Sequence, residues 1–121
     1  MMGWVQGSQP EHDGEHAVDS VWEVDWEGKS RVVGNEHPTQ KPVELFARPM
    51  RKHTKRGDVC FEPFSGSGSQ IVAAEQLGRR CFAMELEPVF VDVAVKRWEK
   101  LTGKKAERVS LKEATRAAVR R

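Results

Sequence analysis

Cysteine occurs only twice in the chain, at Cys60 and Cys81, and each sits inside an apolar, strand-like run. That pattern reads as two buried free thiols rather than a disulfide, which suits a reducing cytoplasm. No apolar stretch approaches the roughly 20 residues that a membrane-spanning helix needs, so no membrane association is expected. The N-terminus, MMGWVQGSQPEHDG, has no basic region followed by an apolar one and therefore no visible secretory signal. Low-complexity and collagen-like bias are missing too. A content of 38% hydrophobic and 31% charged residues is the balance of a soluble, globular protein. At 121 residues there is room for one small domain with a modest core.

Charge is present but unevenly spread. Residues 1–36 carry eight acidic and two basic side chains, net −6, whereas residues 96–121 carry ten basic and three acidic, net +7. The stretch between them, 37–95, is nearly balanced at +1. A basic tail of this kind is suited to following a phosphate backbone, or else it is simply a solvated helical face. Both readings stay open.

Local patterns place the elements. Residues 1–20 lack periodicity and read as loop, and the alternation in Ser20–Trp26 (SVWEVDW) predicts a short strand. Gly28 and Gly34 mark a further loop up to Pro38. A helix is expected from Pro42 towards His53, with Pro49 kinking it or ending it early and Gly57 closing it. Asp58–Phe64 (DVCFEPF) reads as a buried strand, followed by Ser65-Gly66-Ser67-Gly68-Ser69 and a helix through Ile71, Val72, Ala74 and Leu77 that stops at Gly78. A second apolar run, Cys81–Leu86, leads to Pro88, which opens a helix whose apolar stripe is Phe90, Val93, Ala94, Trp98 and Leu101. Strand, glycine turn, helix, strand and helix in that order predict an α/β fold built on a right-handed crossover with a parallel strand pair. Ser110-Leu111-Lys112-Glu113 forms a capping box and predicts a last short helix. Trp22, Trp26 and Trp98 read as core or interface aromatics.

The glycine turn is where chemistry is expected. Glycines directly after a strand let a ligand approach the backbone, and the following helix offers unpaired N–H groups to an anion. Glu85 lies nineteen residues after Gly66, near the ~20 at which a carboxylate on the second strand accepts hydrogen bonds from ribose hydroxyls. Ile71 stands where the third glycine of a dinucleotide fingerprint would fall, which disfavours NAD. The residues therefore point to a nucleoside ligand.

Three ordered segments carry a family resemblance. His37-Pro38-Thr39-Gln40-Lys41-Pro42, Glu62-Pro63-Phe64-Ser65-Gly66-Ser67-Gly68 and Met84-Glu85-Leu86-Glu87-Pro88 resemble the C-terminal part of β-class DNA amino-methyltransferases, over about residues 20–103. The resemblance implies part of a Rossmann-like, class I methyltransferase sheet with flanking helices. It implies S-adenosylmethionine as cofactor, bound by residues 37–102, and DNA as substrate in a phage or bacterial restriction-modification setting. On that basis Phe64, Ser65, Gly66 and Gly68 lie against the methionine part, Glu85 holds the ribose, and Leu86 covers the adenine face. Thr39, Gln40 and Lys41 reach the cofactor's carboxylate end. Taken alone, Lys41 is a solvated helix-start lysine and His37 a turn residue ahead of Pro38. Glu62 stands where the family usually has Asp, and its longer side chain alters the contact expected there.

One family element is missing from these 121 residues: the catalytic tetrapeptide [DNS]-P-P-[YFW], which holds the amine of a flipped-out base. No catalytic residue and no metal ligand is assigned. The expectation is a cofactor-binding piece of a site-specific methyltransferase, adenine-N6 in preference to cytosine-N4, inactive alone. It would need a complementary chain, or would self-associate through an open apolar edge of Asp58–Phe64. The alternatives are a degenerate remnant serving as an interaction module, and a small nucleic-acid-binding accessory that works through its basic tail over 103–121.

Overall fold

The computed structural model describes residues 21–24, 40–110, 112, 113 and 115. Its elements run α1 (Glu44–His53), β1 (Val59–Glu62), α2 (Ser69–Leu77), β2 (Arg80–Ala83) and α3 (Pro88–Thr102). β1 and β2 pair in parallel, with Cys60 opposite Cys81 and Phe61 opposite Phe82. A parallel pair needs a crossover, and α2 supplies it.

α1 enters through a turn in which Val43 O accepts from Phe46 and Ala47 N–H. Glu44 in its first turn pairs with Arg48 and Arg51 one and two turns on, the sense favoured by the helix dipole. Pro49 does not end the helix, which continues to His53. Nor does Gly57 close it. Thr54 does so, donating its N–H at 3.0 Å and its hydroxyl at 2.5 Å to the Met50 carbonyl. Gly57 instead belongs to the turn into β1, where its N–H reaches the Gly78 carbonyl at 2.8 Å. Arg79 then clasps the two helix ends together, bonding Thr54 Oγ1, the Thr54 carbonyl and the Leu77 carbonyl.

The core lies between α1, α2 and one face of the strand pair. Ala47, Met50, Ala73 and Ala74 form its buried centre, with Val43, Phe46, Leu77, Cys60 and Cys81 packed against it. Small residues on α1 and α2 let the helices approach closely, but they fill little volume. No large side chain is fully buried among the described residues. The thiols are free and half-buried. Burial is the main cause that pushes the Cys81 thiol up to about 11, with the nearby Cys60 and Glu62 adding to it. Burial also raises Cys60, against the opposing pull of Arg79.

The strands are not buried as expected. Side chains alternate across a sheet, so with Cys60 and Cys81 turned to the helices, Val59, Phe61 and Phe82 face the other way. They are 51%, 61% and 55% exposed, because no described element covers that face. β2 is also shorter than the apolar run that predicted it, ending at Ala83. Met84 nevertheless extends the ladder, donating to the Glu62 carbonyl at 2.8 Å and accepting from Ser65 N–H at 2.9 Å.

Of the strand expected over 20–26, only residues 21–24 are described, and they form a bend and coil rather than a strand. The loop over 1–20, Gly28, Gly34, His37 and Thr39 lie outside the described residues. The capping box is formed: Glu113 Oε2 accepts from the Ser110 N–H and hydroxyl at 2.8 and 2.7 Å.

Candidate functional site

The turn from β1 into α2 is set by Glu62, two glycines and α3. Glu62 Oε1 accepts the Phe64 N–H at 2.8 Å, which curls the chain back after Pro63. Gly66 and Gly68 take φ of +52° and +76°, left-handed conformations that carry a steric penalty for side-chain-bearing residues. Gly68 N–H returns to the Ser65 carbonyl at 3.0 Å, and the Gly68 carbonyl begins α2 by accepting from Val72.

Gly68 has a second constraint. A Cβ there would lie 2.6 Å from Ala94 Cβ of α3, so the turn is pressed directly onto that helix. The missing side chain of Gly68 thus makes room for α3.

Glu85 closes the site from the end of β2. Its Oε2 accepts the Gly66 N–H at 2.7 Å, and its Oε1 accepts the Leu86 and Glu87 N–H groups at 2.9 and 3.0 Å. The nineteen-residue spacing read from the sequence thus becomes a direct contact between the acid and the glycine turn. Phe64 and Leu86, which flank this contact in sequence on the β1 and β2 sides, are 86% and 90% exposed. Two large apolar side chains left so open beside a polar cradle are surfaces a ligand can cover.

Next to Glu85 opens a cavity of about 250 Å³, walled by Ser65, Met84 and Ala83 on the strand side and by Ile71, Val91, Ala94, Val95 and Trp98 on the helix side. Ser65 Oγ is buried here and finds no hydrogen-bond partner among the described residues. A buried hydroxyl without a partner is rare and calls for one.

The segment before α1 joins the same site. Ser69 Oγ donates to the Lys41 carbonyl at 2.6 Å, bringing the Gln40-Lys41-Pro42 entry beside the glycine turn. Lys41 is exposed and Gln40 half-buried. Of the residues expected at the site, Gln40, Lys41, Glu62, Phe64, Ser65, Gly66, Gly68, Glu85 and Leu86 are described, and Thr39 lies outside the described residues.

Three contributors were not legible as site residues: Ser67, Ser69 and Arg97. Arg97 Nη1 lies 2.7 Å from the Ser67 carbonyl, 3.1 Å from Ser67 Oγ and 3.2 Å from Ser69 Oγ. One signal was available, since Arg97 falls one turn after Ala94 on the apolar stripe of α3, where a charge is out of place. Trp98, expected as a core or interface aromatic, is half-buried and donates its indole N–H to Glu75 at 3.1 Å.

A family model described as DNA methylase (N6_N4_Mtase) matches residues 5–96. The chain is 39% identical over 88 residues to the type II methyltransferase M2.DpnII of Streptococcus pneumoniae, covering 73% of this chain and 32% of that one. It is 36% identical over 89 residues to M2.LlaDCHI of Lactococcus lactis subsp. cremoris, covering 74% of this chain and 33% of the relative. The chain therefore spans about a third of the length of the curated relatives it matches. Among solved structures, the M1.HpyAVI–SAM complex superposes with a TM-score of 0.50 at 34% identity, over 53% of this chain and 32% of the other. A putative DNA modification methylase of Thermus thermophilus, complexed with S-adenosyl-L-methionine, gives 0.50 at 35% identity, over 53% of this chain and 27% of the other.

Proposed function

The chain belongs to the DNA methylase family of N6 and N4 methyltransferases, and from that premise we propose that it forms the S-adenosylmethionine-binding part of a DNA amino-methyltransferase. Its fold is part of the class I methyltransferase sheet, a parallel strand pair with flanking helices. The observation that carries the proposal is the Glu85 carboxylate held 2.7 Å from the Gly66 N–H beside an open cavity. The fit to a nucleoside is supported by the unpartnered Ser65 hydroxyl in that cavity wall. At about 250 Å³ the cavity is smaller than the roughly 300–1,000 Å³ of a typical small-molecule cleft, so it suits part of the cofactor only.

In this reading Glu85 accepts hydrogen bonds from the ribose hydroxyls with oxygens already oriented by three backbone N–H groups. Leu86 covers the adenine face. Phe64, Ser65 and Gly66 line the methionine part, while Glu62 shapes their turn through the Phe64 N–H. Thr39, Gln40 and Lys41 serve the carboxylate end. Gly68 lies against the methionine part as well, and it also packs on α3. The cofactor, when bound, supplies an electrophilic methyl group to a base amine. What these residues contribute is position and exclusion of water, which are the main resources of such a transfer.

The domain assignment follows: residues 37–102 hold cofactor, flanked by the acidic 1–36 and the basic 103–121. Adenine-N6 remains the proposed target. The cytosine-N4-specific PvuII DNA methyltransferase shares the fold at only 24% identity. No catalytic tetrapeptide of the family's type occurs in these 121 residues, so the proposed activity draws on residues outside them, for which a complementary chain is the proposed source. Calorimetric titration of S-adenosylhomocysteine into the chain tests the core of the proposal. Binding with one site per chain is expected, and no heat even at millimolar ligand would overturn it.

A further inference from the structure

The glycine turn is gripped from behind by a single cation. The Ser67–Gly68 peptide is held at both ends, its carbonyl by Arg97 Nη1 at 2.7 Å and its N–H by the Ser65 carbonyl at 3.0 Å. The same nitrogen reaches the hydroxyls of Ser67 and Ser69, which are only 4% and 3% exposed. Ser69 Oγ has one proton and donates it to the Lys41 carbonyl at 2.6 Å, so it accepts from Arg97. The result is a directed chain from guanidinium to hydroxyl to carbonyl. It links α3, the glycine turn and the entry to α1, segments that lie 28 to 30 residues apart along the sequence. Ala94, one helical turn before Arg97, presses on Gly68 from the same face of α3.

A turn with two left-handed glycines has more than one accessible backbone path, because glycine imposes none. The contact that selects one path is therefore separable from the residues that touch a ligand. We propose that Arg97 is a positioning residue: it fixes the Ser67–Gly68 peptide and, through Ser69, the Lys41–Pro42 entry, so that the two walls of the cofactor site keep their spacing. This rests on the cofactor reading above. Arg97 acts through the turn that also carries the Gly66 N–H, the group that Glu85 holds at 2.7 Å.

The test uses the whole 121-residue chain and two readouts. Amide hydrogen exchange without cofactor is compared for the unchanged chain, Arg97→Met, Arg97→Lys and Ser69→Ala, and S-adenosylhomocysteine affinity is measured by calorimetry on the same samples. Arg97→Met keeps the apolar stem and removes the donors. It is expected to lose protection over residues 65–69 and 41–45 while the β1–β2 ladder stays protected, and to weaken binding roughly tenfold or more. Arg97→Lys, which keeps a donor, is expected to restore part of both. Ser69→Ala is expected to loosen 41–45 and spare Ser67. Unchanged exchange over 65–69 in Arg97→Met overturns the proposal, as does uniform loss across the ladder, which would mean a fold contact only. Loosening of the turn with unchanged affinity also overturns the positioning role. If the unchanged chain itself binds no cofactor, the functional reading fails first and the role falls with it.

Discussion

Replacing Glu85 tests the site most directly, because one side chain holds both the ligand contact proposed for it and the turn beside it. Its carboxylate accepts three backbone N–H groups, at 2.7 Å from Gly66 and at 2.9 and 3.0 Å from Leu86 and Glu87. The last two bonds are at the surface, so in Glu85→Ala those amides turn to water at little cost. The Gly66 N–H is part-buried, and its loss of partner loosens the turn. A hydrogen bond to a charged acceptor contributes about 1.5–3 kcal/mol, and every 1.4 kcal/mol is tenfold in affinity. Loss of the ribose contact alone therefore weakens S-adenosylhomocysteine binding by roughly 10- to 150-fold. Glu85→Gln separates the two roles. It keeps the length but has one acceptor oxygen, so an N–H faces an NH₂ group either at Gly66 or at Leu86 and Glu87. Its affinity is expected to fall between those of the unchanged chain and Glu85→Ala. Calorimetry gives the affinities, and far-UV circular dichroism checks that the helices persist. Equal affinity in Glu85→Ala and the unchanged chain would refute the assignment of Glu85 to the ribose.

Gly68→Val is expected to lower the melting temperature along with binding, since its Cβ meets Ala94 at 2.6 Å; a variant that melts normally yet binds nothing would refute the packing role. Both thiols are raised, Cys81 from 9.0 to about 11. Their neutral forms thus support the fold fully below pH 9, and that support is lost as pH rises towards 11. Denaturant melts at pH 8, 9, 10 and 11 should show the decline, whereas a flat profile would contradict it. Purified chain with tritiated S-adenosylmethionine and unmethylated DNA is expected to transfer no label until a fragment bearing the family's catalytic tetrapeptide is added, and transfer by the chain alone would refute that division of labour. Val59, Phe61 and Phe82, on the sheet face that no described element covers, should drive self-association, which sedimentation would detect and Phe61→Glu should weaken. Deleting residues 104–121 should reduce salt-dependent DNA binding, and unchanged binding would assign the basic tail to solvent.

The sequence alone determined the order of elements and the key pairing of the site, for reasons that are local. Gly66, Gly68 and Gly78 each take positive φ, and a residue without Cβ at a strand-to-helix or helix-end position announces such a turn. The Gly66–Glu85 spacing reports one crossover of fixed geometry, which placed the acid at the end of the second strand beside the glycine turn, where it lies 2.7 Å from the Gly66 N–H. Ser110 and Glu113 are three residues apart, and their capping box formed as read. The tertiary structure decided what depends on partners distant in sequence. Whether β1 was buried on both faces turned on what covers Val59 and Phe61, and no periodicity within the strand contains that information. Thr54 displaced Gly57 as the end of α1 because it bonds Met50 and also receives Arg79, 25 residues away. Gly68 is required by a methyl group on α3, and the glycine turn is held by an arginine 30 residues beyond Ser67. A motif names the residues that meet a ligand. The contacts that hold those residues still come from packing between helices, which only the folded chain specifies.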